Sequence, residues 1–281
     1  MAAEPAPLPG ASPETRYRRF DALDRVLHGA LMTSFLGLAF TGLPLVISRH
    51  ASWAHWFFWF GDFRVASALH RVFAVVLIST FAVHLWRIGR RLLVDKDYGV
   101  LWGPHSMVPQ PRDVVEMAGH IRWFVGKGPR PKFERFTYWE KFDYWAVFWG
   151  MGIIGGSGLL LWFPKTFARL LPGWAFNIAS LIHGEEALLA VGFIFTVHFF
   201  NGHLRPEKFP MDTVIFTGSV TGEELRDDRP GEYARLTAEN GLESLVVPPP
   251  SRRLVTLGRS VGTVAVVLGL VLVVLVVAAF L

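Results

Sequence analysis

Five histidines stand inside long apolar stretches of this chain: His28, His70, His84, His183 and His198. Imidazole binds metals and carries protons, and an ionisable side chain inside a lipid-like stretch is costly unless it serves a function. His183 and His198 share one stretch, SLIHGEEALLAVGFIFTVHFFNGH, fifteen residues apart. On an α-helix that separation is ~22 Å of rise and roughly 60° of rotation. The two rings therefore lie on broadly one side at two depths. His70 and His84, fourteen apart, repeat the arrangement on another stretch. Neutral imidazoles on facing helices suit bis-axial ligation of low-spin haem iron. Two such centres, one above the other, would have irons ~20 Å apart by the same rise. A zinc site would need three or four ligands converging at one point. A haem-free His/Glu-lined proton or ion transporter stays open, because such residues also line proton paths.

Composition narrows the chemistry further. The 281 residues are 52% hydrophobic and 18% charged, with a mean hydropathy of +0.35. A soluble chain carries about a quarter charged residues. Cysteine is absent, which excludes disulfides, thiolate ligands, iron–sulfur clusters and covalent haem c on this chain. Any metal must be held by His, Met, Asp or Glu. The net charge is +5, and no nucleic-acid partner is expected.

The elements that position the histidines are apolar runs long enough to cross lipid, for which about 20 residues suffice. Five are expected: Val26–Ile47, Ala66–Trp86, Phe142–Phe163, Phe176–Phe200 and Val261–Leu281. The fold class is all-α and integral to a membrane. Four spans form a haem-binding bundle, and a fifth follows at the C-terminus. Lys and Arg crowd alternate connections. There are eleven from Arg87 to Lys141 and eight from Asn201 to Arg259, but only Arg49 and Arg64, or Lys165 and Arg169, in the others. The positive-inside rule makes the N-terminus cytoplasmic and the C-terminus periplasmic, in a bacterial inner membrane. His70 and His183 then form an outer pair. His28, His84 and His198 form an inner trio, so the inner partner of His198 is either His28 or His84.

Residues 1–20 read as a disordered Pro/Ala-rich arm. The apolar run after it is too long for a signal peptide and lacks a small-x-small cleavage site. The expected units are the arm, a bundle over 21–204 with an amphipathic inner loop at about 88–140, a cytoplasmic surface segment over 205–255, and the fifth helix over 256–281. The surface segment has too few apolar residues for a core of its own. The aromatic run ASWAHWFFWFGDF suits a headgroup belt or a docking surface. His50, His55, His105, His120 and His203 fall in connections or at span ends, where solvated or interfacial positions are expected. Gly152 and Gly156 have GxxxG spacing, which suits either close helix contact or room for a flat macrocycle. No internal repeat is evident. Glu185 and Glu186 follow His183 as helix N-terminal acids or as a proton path. Arg205 and Lys208, with Arg16, Arg18 and Arg19, could meet haem propionates.

The run RFDALDRVLHGALMTSFLGLAFTGLPL, then ALHRVFAVVL, LLLWFP, SLIHG and RPGEYARL, resembles the gamma (cytochrome b) subunits of membrane formate dehydrogenases and the b-type cytochromes of Ni/Fe hydrogenases. The resemblance covers about residues 16–240, and its most specific marks are Arg25–His28, His70 and His183. It implies an inner haem on His28 and His198 and an outer haem on His70 and His183. It also implies two haem b and a quinone, menaquinone or ubiquinone, near His198, with Asn201 and His203 lining the pocket. The partner it implies is a periplasmic redox subunit, either a multihaem cytochrome c or an iron–sulfur protein. The chain would be the quinone-reactive electron-transfer subunit of a respiratory oxidoreductase complex. His84 and the fifth span depart from the pattern. His84 could line the quinone pocket or, as in bc-type cytochrome b, hold the inner haem with His198. RPEKFPMD is reminiscent of relatives serving periplasmic multihaem cytochromes.

Overall fold

The computed structural model describes residues 14–47, 63–205, 208–209 and 211–280. The chain is about 75% helical. In order, the elements are β1 (Arg16–Arg18), α1 (Ala22–Ile47), α2 (Phe63–Leu93), α3 (Pro111–Phe124), α4 (Tyr138–Trp162) and α5 (Gly173–Leu204). Then come β2 (Ser219–Thr221), α6 (Gly222–Asp228), α7 (Pro230–Ala238), β3 (Val246–Val247) and α8 (Arg252–Phe280).

Reciprocal acid boxes start several helices. Asp24 N–H donates to Asp21 at 2.8 Å and Asp21 N–H to Asp24 at 3.1 Å before α1. Thr137 and Glu140 do the same for α4, and Thr221 and Glu224 for α6. Each box satisfies backbone donors that a helix start leaves unpaired.

Helices α1, α2, α4, α5 and α8 are long and apolar enough to cross a membrane. They fall on the five stretches expected from sequence. Much of their apolar surface is exposed, including Val72, Val75, Val76 and Val83 on α2 and Val264, Val267, Val271 and Val274 on α8. Faces of that extent suit hydrocarbon, not water. The aromatic run over 51–63 lies outside the described residues except for Phe63, and so do Arg49, His50 and His55.

The chain divides into two compact units. One comprises Val26–His84, Ala146–Asp212 and Leu257–Leu281. Its core joins Ala39, Leu43 and Ile47 of α1, Val191, Phe195 and Phe199 of α5, and Leu272 of α8. The fifth long helix thus packs into the same core as α1 and α5. At Gly269 a Cβ would come within 2.3 Å of the Phe195 ring, so only glycine permits that approach.

The second unit comprises the chain up to Arg25, Leu85–Trp145 and Thr213–Thr256. Two expectations need correction here. The arm over 1–20 does not run free to its end: Arg16–Arg18 form the central strand of an antiparallel sheet ordered β2-β1-β3. Nor is the segment over 205–255 coreless. Val220, Leu225, Tyr233, Leu236 and Leu242 pack around Tyr17, so apolar side chains too few alone are pooled across the sequence.

The RPGEYARL run explains itself in this unit. Gly231 N–H donates to the Phe133 carbonyl at 3.0 Å, and a Cβ at Gly231 would lie 2.8 Å from the Lys132 carbonyl oxygen. Glu232, 1% exposed, receives Arg19 at 2.5 Å and Arg135 at 3.2 Å. Arg229 reaches Glu140 at 2.8 Å and Arg235 reaches Glu134 at 3.2 Å. Arg19 is therefore committed to Glu232 and not to a propionate. Burial pulls its guanidinium down to about 10, against the pull of Glu232. It stays charged at neutral pH. His120 is another correction: it is buried between Trp123 and Trp139, with Nδ1 3.1 Å from the Tyr138 hydroxyl.

Candidate functional site

Helix α2 carries His70 and α5 carries His183. The two rings face each other with centroids 6.2 Å apart and planes at 72°. Each ring is held through Nδ1. The Ile154 carbonyl oxygen lies 2.9 Å from His183 Nδ1 and the Ser157 hydroxyl 3.3 Å from it. A carbonyl only accepts, so Nδ1 carries the proton and Nε2 is left with its lone pair. For His70, the Thr41 hydroxyl sits 2.9 Å from Nδ1 and gives its own proton to the Gly37 carbonyl at 2.7 Å, so towards the ring it can only accept. The same tautomer follows. Metal-ligating histidines usually tie their second nitrogen in this way.

Local backbone form helps to place these acceptors. Met151–Gly155 of α4 is a π-turn. Such turns offset carbonyls from their usual i+4 donors and recur at functional sites. Ile154 lies within it. Helix α1 contains Pro44, three residues beyond Thr41.

Glycines set the space around the pair. A Cβ on Gly42 would lie 3.0 Å from His70 Cε1, and one on Gly158 would lie 3.0 Å from His183 Cε1. At Gly152 and Gly156 a Cβ would meet nothing within 4 Å among the described residues, so no close helix contact within the chain is seen there. The spacing and donor chemistry of the pair fit haem iron.

At the other level, His28 of α1 lies within electrostatic reach of His198 and His203, and His203 within that of His198. His203, expected at a span end and solvated, belongs to this cluster. It sits in the π-turn Phe200–Leu204 with Asn201, and His198 closes the π-turn Ile194–His198. His84 meets the Phe148 ring edge-on, with centroids 6.3 Å apart. Arg205 ends α5 in extended backbone, its N–H donating to the Phe200 carbonyl at 3.1 Å. Lys208 pairs with Asp212 at 3.4 Å.

The two acids after His183 need correction. Helix α5 starts at Gly173, so Glu185 and Glu186 lie more than three turns inside it. The helix dipole acts within the first turn and does not account for them. Glu186 accepts from Trp149 Nε1–H at 3.2 Å, and Glu185 is exposed.

Among the described residues no three His, Asp or Glu side chains converge as a metal cage. What the fold and site define is a five-helix, membrane-length scaffold with histidines gathered at two levels. No family model matches the chain, and no curated protein matches it significantly.

Proposed function

We propose that this chain is a di-haem b membrane subunit passing electrons between a quinone pool and a periplasmic redox partner. The observation that carries the reading is the facing pair His70 and His183, both with Nδ1 tied and Nε2 left as the lone-pair nitrogen. Haem b, when bound, supplies a one-electron iron couple within the apolar layer. His70 and His183 would hold the outer group, and His28 and His198 the inner one. His28 lies within electrostatic reach of His198, in keeping with the ligand pair that the resemblance implies.

The remaining roles belong to the chain itself. Asn201 and His203, on one π-turn beside His198, offer hydrogen bonds to quinone carbonyls. Arg205 at the helix end offers a cation for a propionate. Glu186, held by Trp149, and Glu185 beside it lie at the level of His183 and offer a proton exit on that side. The basic connections support a reading with the quinone-side cluster at the cytoplasmic face of a bacterial inner membrane and the His70–His183 pair toward a periplasmic partner, a multihaem cytochrome c or an iron–sulfur protein.

The test is a pyridine haemochrome assay on the purified protein. About two haem b per chain is the expected result. Absence of haem b, with transport activity in liposomes, would replace this reading with the proton or ion transporter.

A further inference from the structure

The two histidines of the facing pair are held by the same device, built twice. In α1, Thr41 precedes Gly42; in α4, Ser157 precedes Gly158. The Thr41 hydroxyl bonds back to the Gly37 carbonyl at 2.7 Å, with Leu38 O at 3.3 Å; Ser157 bonds to Ile153 O at 2.6 Å, with Ile154 O at 3.1 Å. A hydroxyl has one proton. With that proton given to the carbonyl four residues back, its lone pair faces the imidazole Nδ1. The His183 imidazole also reaches the carbonyl three residues before its hydroxyl, Ile154, at 2.9 Å. In both cases the following glycine stands against the ring, its absent Cβ 3.0 Å from Cε1 and 3.4 Å from Nδ1. The histidine comes from the next long helix, 29 residues on in one case and 26 in the other.

We infer that Thr41–Gly42 and Ser157–Gly158 are paired positioning elements that fix the tautomer, orientation and basicity of His70 and His183 as iron ligands. The inference rests on the di-haem reading above. A hydrogen bond accepted from Nδ1–H makes an imidazole a stronger donor at Nε2. Stronger donation favours ferric over ferrous iron. Each hydroxyl therefore lowers the potential of the outer haem alone, and the glycine keeps the ring upright enough to bond. A histidine held by packing only would be indifferent to replacement of a hydroxyl by a methyl of equal size.

The experiment compares Thr41→Val and Thr41→Ser, and Ser157→Ala and Ser157→Thr, in the full-length protein. Haem content, redox titration and low-spin EPR spectra are recorded for each. Thr41→Val and Ser157→Ala are expected to raise the outer-haem potential. The ferric-to-ferrous preference falls by up to about tenfold, which is about 59 mV for a one-electron couple. The inner haem stays unchanged, and the Ser and Thr variants keep wild-type values. Loss of one haem in Thr41→Val but not in Thr41→Ser supports the same conclusion. Two haems with unaltered potentials and spectra in both hydroxyl-free variants overturn the inference and leave the di-haem reading standing. A wild-type protein without haem overturns both.

Discussion

The imidazoles of His70 and His183 stand 6.2 Å apart with their planes at 72°. If His70 and His183 hold a haem as proposed, imidazole planes this close to perpendicular would give it a strongly anisotropic, large-gmax low-spin ferric EPR signal. His183→Ala or His70→Ala should remove that signal and lower haem b from about two per chain to about one. The inner haem's component in a redox titration should survive.

The inner level gives a sharper choice. His28 has His198 and His203 as electrostatic neighbours, while His84 is placed edge-on to Phe148. His28→Ala is expected to remove the inner haem, and His84→Ala to leave both haems bound. His203→Ala should retain both haems and instead raise the quinone KM, since that side chain shares a π-turn with Asn201. An inner haem that survives His28→Ala and is lost with His84→Ala would assign the ligand to α2, as in bc-type cytochromes.

Sequence patterning reached the five long helices, because each apolar stretch exceeds what hydrocarbon requires. It also set His70 opposite His183, which the structure brings to a centroid separation of 6.2 Å, and it left His28, His84 and His198 as an inner trio. It missed the sheet around Tyr17, since β1 is three residues long and its partners lie about 200 residues away. By position His203 reads as a solvated or interfacial span-end residue, and only the resemblance points to it as a pocket liner, because α5 runs one turn further, to Leu204, than its apolar core suggests. The repeated clamp was present as TGLPL and SGLLL, each one helix ahead of a histidine. A five-residue echo across 116 positions gives no periodic signal, and only the hydrogen bonds show what it does.

Glu232 offers a stability prediction in the sheet-containing unit. It is buried and receives both Arg19 and Arg135. Glu232→Ala leaves Arg19 buried without its countercharge, a loss of about 3–5 kcal/mol where one partner of a buried pair is removed. Thermal unfolding and limited proteolysis should show that unit opening first. If the other unit binds haem as proposed, its spectrum should persist at temperatures where the variant is already cleaved.

Glu116 on α3 has the opposite sign. Its Oε2 is buried without a hydrogen bond among the described residues. Burial is the leading cause that holds its carboxyl above the usual range, with Asp113 and Glu134 adding to the shift against Arg112 and Lys141. A carboxyl raised in the native state contributes stability below its unfolded pKa, about 4.3, and loses it as pH rises through the native value. At neutral pH the charge is a cost. Glu116→Gln is expected to raise Tm at pH 7, with the gain shrinking as pH falls toward the unfolded value. A Tm difference independent of pH would place the effect in packing.

The fifth helix is testable at one contact. Gly269 of α8 lies against Phe195, which is 1% exposed and packs edge-on to Phe35 and Phe199. A Cβ there would overlap the ring, and overpacking of a filled core costs roughly 1–3 kcal/mol. Gly269→Ala should lower Tm. Phe195→Leu alone should also lower it, by leaving space. Together they should cost less than the sum, because the smaller side chain accepts the methyl. That compensation would show α8 to be packed as part of one core with α1 and α5. Strict additivity would make it a separate anchor, and the core shared by Leu272, Ala39 and Val191 argues for the former.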